Sequence, residues 1–166
     1  MIKVLFVCHG NICRSPMAEF IMKEKVKKMS IENKFYIDSR ATSNEEIGNN
    51  IYPQALKTLY NHGIMEATHY AEQITIDDYN YFDYIFVMDQ ANIRMLKYVL
   101  YGCNLSKVSL IGDFIEENIP KRWKNGYKDL SGRLNTSLRS YLQGLFLIML
   151  LVFITQSIGL TLAGLE

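Results

Sequence analysis

Apolar and polar positions along the chain change period several times, and the changes mark the elements. Lys3–Val7 is a short, almost unbroken apolar run, the pattern of a strand covered on both faces. Over Ser15–Met29 the apolar residues Met17, Phe20, Ile21, Met22, Val26 and Met29 recur near helical spacing. Ser15 is the expected N-cap of that helix and Pro16 suits its first turn. Phe35–Ser39 follows as a second strand. Asn50–His62 is predicted helical, with Pro53 in its first turn, Leu56, Leu59 and Tyr60 on one side, and Gly63 as its stop. Tyr84–Met88 is a third strand, Gln90–Leu100 a helix and Val108–Ile111 a fourth strand. Strands alternating with helices imply an α/β fold, a four-stranded parallel sheet with helices on both faces.

The pattern fails beyond residue 120. Residues 1–117 carry twelve Lys/Arg against fifteen Asp/Glu, whereas residues 118–139 carry six against one. From Ser140 to Leu165 no side chain is charged, and Leu145–Ile154 is ten consecutive apolar residues. The chain therefore divides into an α/β domain over 1–120, a basic atypical segment over 121–140 and an apolar tail over 141–166. The near-neutral total charge gives no reason to expect nucleic acid as a partner. Cys8, Cys13 and Cys103 suggest neither a disulfide framework nor a zinc site, and no secretory leader is apparent, so the cytoplasm is the expected location.

The candidate chemistry lies between the first strand and the first helix. Cys8 closes the apolar run, a short loop containing Gly10 and Asn11 follows, and Arg14 stands six residues on. Open loops of this kind bind ligands beyond the carboxyl ends of parallel strands. The N–H groups at a helix start suit an anion. The same field, with a guanidinium nearby, favours thiolate over thiol and makes Cys8 a candidate nucleophile. The planar fork of Arg14 fits two oxygens of a phosphate. Together these groups describe a loop that cleaves phosphate esters. A cysteine and an arginine six apart occur by chance; the strand before and the helix after give the pair its meaning.

In detail, Val7-Cys8-His9-Gly10-Asn11-Ile12-Cys13-Arg14-Ser15-Pro16-Met17-Ala18-Glu19 resembles the active-site loop of the low-molecular-weight protein tyrosine phosphatases. The likeness continues through Asp38-Ser39-Arg40-Ala41-Thr42-Ser43, Ile47-Gly48-Asn49, His62-Gly63-Ile64 and Phe82-Asp83-Tyr84-Ile85. It runs on through Met88-Asp89-Gln90-Ala91-Asn92 and ends near Ile111-Gly112-Asp113-Phe114.

The resemblance implies hydrolysis of phosphotyrosine proteins or small aryl phosphates through a cysteinyl-phosphate intermediate, with no metal and no cofactor. Cys8 would be the nucleophile. Arg14 and the loop residues His9, Gly10, Asn11, Ile12, Cys13 and Ser15 would hold the phosphate. It further implies that Asn11, Ser43 and His69 form a buried polar network fixing the loop, and that Ser15 donates to the Cys8 sulfur. Cys13 either forms a reversible disulfide with Cys8 or simply fills space. Ile12 offers an apolar wall suited to a phenyl ring, where related arginine phosphatases are expected to carry threonine. The related arsenate reductases need two further cysteines, and only Cys103 remains here.

One part of the family pattern is missing. The general acid expected after the fourth strand is an aspartate followed by proline, and the chain contains no Asp-Pro pair. Asp129, the sole carboxylate between Glu117 and Glu166, is a candidate substitute or else a solvated aspartate among lysines. The expectation is thus a phosphatase weakened by lack of its acid, the alternative a phosphotyrosine-binding protein that has lost turnover. Three accounts fit the tail: a membrane anchor over 141–165, an unusually apolar last helix, or a reading-frame shift near residue 120.

Overall fold

A computed structural model of the chain describes residues 1–114. Its elements in order are β1 (Ile2–Cys8), α1 (Arg14–Lys28), β2 (Phe35–Ala41), α2 (Pro53–Asn61), α3 (Ile76–Tyr81), β3 (Tyr84–Val87), α4 (Gln90–Val99) and β4 (Val108–Leu110). Single 3-10 turns lie at Glu32–Lys34 and Ile111–Phe114. The four strands form one parallel sheet in the order β2-β1-β3-β4.

β1 is the centre because its apolar run lets it be buried on both sides. Val4, Leu5, Phe6 and Val7 are all 0% exposed. Val4, Phe6 and Cys8 face one core with Ala18, Met22 and Val26 of α1, while Leu5 and Val7 face the other with Ile74, Phe82, Leu96 and Leu100. Burial of each such side chain is worth about 1.5–3 kcal/mol. α2 packs against α1 rather than the sheet, through Ala55 and Leu59 against Met17 and Phe20.

Several expectations are corrected in detail. β1 runs through Cys8 and β2 through Ala41, because these two residues still pair. α1 begins at Arg14 with Cys13 at the N-cap position and no side-chain cap, so Ser15 does not cap it. Its first two turns are buried nearly all round, including Glu19. In α2 the inner face is Ala55, Thr58 and Leu59, and Tyr60 is exposed. Gly63 follows the helix at φ +80°, a conformation glycine adopts without strain. The short helix α3 has no apolar stripe to announce it. Among the described residues no helix is long and apolar enough to cross a membrane. Asp129, the basic segment over 121–140 and the tail over 141–166 lie outside the described residues.

Candidate functional site

β1 delivers Cys8 to the carboxyl edge of the sheet, and the chain turns back through residues 9–13 to enter α1. Five carbonyl oxygens of this turn are held by the surroundings. Cys8 O accepts from Thr42 N at 2.8 Å, His9 O from Ser43 N at 2.9 Å, Ile12 O from Tyr52 N at 2.8 Å and Cys13 O from Met17 N at 3.2 Å. Asn11 O lies 2.7 Å from His69 Nε2, which must be the donor because a carbonyl can only accept. In a trans peptide the N–H points opposite to the preceding C=O. The N–H groups of His9, Gly10, Ile12, Cys13 and Arg14 are therefore turned away from these partners.

Asn11 makes this turn by adopting φ +54°, a left-handed conformation that asparagine tolerates better than most residues. It is fully buried and both polar atoms of its side chain are hydrogen-bonded. Oδ1 accepts from Glu72 N at 3.1 Å, which fixes the amide's orientation, and Nδ2 donates to Ser15 Oγ and Ser39 Oγ, each at 2.9 Å. Two branches leave Asn11. Ser39 Oγ donates a hydrogen bond to Glu19 Oε2 at 2.6 Å. Ser15 Oγ, already accepting from Asn11, has one proton to give; the Cys8 sulfur lies 3.0 Å away and Arg40 O 3.4 Å. With a Cys8 thiolate the hydroxyl donates to the sulfur; with a thiol it can donate to Arg40 O instead.

Of the expected network of Asn11, Ser43 and His69, the structure joins Asn11 and His69, with Ser39 in the place expected of Ser43 and Ser15 as a further member. Ser43 Oγ is buried without a hydrogen-bond partner among the described residues, and only its main chain touches the loop. Sequence reasoning also missed Glu19, whose carboxylate is buried at the end of the network, 3.9 Å from His69 Nδ1 and paired with Lys23. The Glu19/Lys23 spacing of one helical turn reads as a surface pair and gives no sign of this burial.

Arg14 stands in the first turn of α1, half-buried, with Nη1 2.6 Å from Asp89 Oδ2. Burial pushes the Asp89 carboxyl up, but hydrogen bonds from Arg14 and the Asn92 N–H, with the guanidinium's charge, outweigh it and hold Asp89 below the usual carboxylate range. Burial, aided by Cys8, pushes the Cys13 thiol up, against a smaller opposing effect of Arg14. Cys13 is therefore kept as a neutral thiol, a poorer nucleophile. Both Cys8 and Cys13 are unbridged.

The rim is polar. His9 Nε2 meets Glu45 Oε2 at 2.9 Å, and Glu46 packs so close to Gly10 that an added Cβ would lie 3.1 Å from its Cγ. Cys103 packs in the cluster on the opposite face of the sheet from Cys8.

Residues 3–128 match the sequence model of the low molecular weight phosphotyrosine protein phosphatases. This match extends beyond Phe114, where the motif resemblance ends, and stops one residue before Asp129. A low molecular weight phosphotyrosine protein phosphatase of Schizosaccharomyces pombe is 40% identical over 121 residues, covering 72% of this chain and 77% of its own length. Among solved structures, YfkJ of Bacillus subtilis superposes with a TM-score of 0.78 at 31% identity, covering 95% of this chain and 96% of that one. A low molecular weight protein tyrosine phosphatase of Streptococcus pyogenes gives a TM-score of 0.64 at 39% identity, over 87% and 89% of the two chains.

Proposed function

Since the chain belongs to the low molecular weight phosphotyrosine protein phosphatase family, and is in that sense a tyrosine phosphatase that hydrolyses phosphotyrosine, we propose a route by which its own residues carry out the reaction. Cys8 Sγ attacks phosphorus; the S–P bond forms as the P–O bond to the aryl group breaks. The N–H groups of the loop and the guanidinium of Arg14 hold the equatorial oxygens, where charge is stabilised. Ser15 donates to the sulfur and steadies it as the leaving group of the second step. Water then attacks phosphorus, the S–P bond breaks, and inorganic phosphate leaves. Ile12 walls the phenyl ring, consistent with an aryl substrate.

The observation that carries this reading is the five-carbonyl anchoring of the loop, which leaves the N–H groups of His9, Gly10, Ile12, Cys13 and Arg14 facing away from those partners and available to an anion. Asp129 is the weak candidate for protonating the departing oxygen; without an acid the rate falls by roughly 10²–10⁴. A thiol nucleophile beside a second loop thiol calls for a reducing compartment, which favours the cytoplasm. The packing of Cys103 on the far side of the sheet speaks against a thiol-relay arsenate reductase.

Rapid mixing with p-nitrophenyl phosphate tests the route. One equivalent of phenol is expected in a burst, abolished by Cys8→Ser. Saturable phosphate binding with no burst would instead make the chain a binding protein.

A further inference from the structure

The penultimate residue of β2, Arg40, has a side chain only 16% exposed. A guanidinium at this depth needs carboxylates, and three meet it. Arg40 Nη1 donates to Asp38 Oδ2 and to the Ser39 carbonyl, each at 2.8 Å; Nη2 lies 3.2 Å from Glu72 Oε2, and Nε lies 3.6 Å from Asp78 Oδ1. Burial alone would push the guanidinium down, but its three acidic neighbours raise it above its ordinary value, so it stays charged. The carboxylates come from three places: β2 itself, the segment leading to α3, and the first turn of α3.

The middle partner reaches the site. Glu72 N donates to Asn11 Oδ1 at 3.1 Å, and Glu72 O accepts from Ala41 N at 2.7 Å. Asn11 keeps its left-handed conformation only while its surroundings over-determine it. The ion cluster and the loop thus share one residue, Glu72, whose carboxylate meets Arg40 and whose N–H meets Asn11.

We infer that Arg40 is a positioning residue for the phosphate loop: by drawing Glu72 and Asp78 onto the end of β2, it presses the Glu72 amide against Asn11 and keeps the loop N–H groups aimed at phosphate. It touches no substrate, and the inference rests on the loop's being the reaction centre.

Protection of Cys8 from iodoacetamide by inorganic phosphate measures loop geometry without turnover. Arg40→Gln is expected to weaken protection by about 2- to 30-fold, the range of coupling carried through packed networks, and to slow the aryl phosphate burst in parallel. Arg40→Lys restores part of the loss. In an Asn11→Ala background, Arg40→Gln should add almost nothing to the loss of phosphate affinity, because the strut no longer has a target. Unchanged affinity in Arg40→Gln, or the same loss in both backgrounds, overturns the inference. Where Arg40→Gln does not fold, Glu72→Gln decides, since that side chain is 62% exposed and tolerates change. It should shift affinity in the same direction, and no shift overturns the inference. A wild-type chain without a burst, in which phosphate protection still responds to Arg40, would sink the hydrolytic reading and leave the positioning role intact.

Discussion

Ser39 and Ser43 differ in what their hydroxyls meet, and the difference follows from strand register. β2 pairs Ser39 with Phe6 and Ala41 with Cys8, so Ser39 lies under the loop facing Asn11 and Glu19. Ser43 lies past the strand's end, where only its N–H reaches the loop. Ser39→Ala leaves buried donor and acceptor groups on Asn11 and Glu19 short of a partner, a cost of about 1–3 kcal/mol, and loosens the loop. Ser43→Ala removes a hydroxyl that bonds nothing among the described residues and should change stability by no more than about 0.5 kcal/mol. Urea denaturation and phosphate affinity of the two variants check this; a larger loss from Ser43→Ala would contradict it. Both serines occur in one short polar stretch after an apolar run, and sequence alone does not say which faces inward. That is decided by pairing with a strand thirty residues away. Glu19 was illegible for a related reason: a glutamate in a lysine-rich helix reads as solvated until α1 is laid against the sheet.

At the scale of elements, caps connect local sequence to the site. Asp89 caps α4: its Oδ1 accepts from Asn92 N at 2.9 Å, while Asn92 Oδ1 accepts from Asp89 N and Met88 N at 3.2 Å each. The same Asp89 aims its other oxygen at Arg14, so the start of α4 orients the Arg14 guanidinium. Asp89→Asn isolates that contact, because asparagine caps a helix about as well as aspartate. A carboxyl held below its unfolded value of about 3.9 stabilises the fold above that pH and loses the contribution as pH falls through the lower, folded value. Wild type should therefore be more stable than Asp89→Asn near neutrality, with the gap closing below about pH 4. Thermal melts across that range measure it, and a gap that widened in acid would contradict the ion pair. α3 shows the converse case. Thr75 and Asp78 form a reciprocal capping box, a local signature present in the sequence, yet the helix is six residues without an apolar stripe and periodicity passes over it.

For the whole molecule, the sheet and its strand-ending loop were legible because β1 is apolar on both faces and the loop motif is dense. Asp89, the carboxylate bonded to Arg14, is committed to that guanidinium and held ionised, a state suited to orientation rather than to donating a proton. The chain has no Asp-Pro pair, and Asp129 has no proline to stiffen its approach. A phosphatase short of its acid should depend steeply on the leaving group. Aryl phosphates with acidic phenols, which depart as anions, should keep most of their rate, whereas phosphotyrosine, whose phenol ionises near 10, should lose roughly 10²–10⁴ relative to an enzyme with its acid in place. Single-turnover rates over a series of substituted phenyl phosphates measure this slope. Asp129→Asn separates the remaining explanations: an unchanged slope means that Asp129 is a bystander, and a slope that steepens only in the variant means that Asp129 donates the proton. A shallow slope in both chains would place the proton on another group and contradict the account of a weakened enzyme, because catalysis would then be indifferent to the motif that the chain lacks.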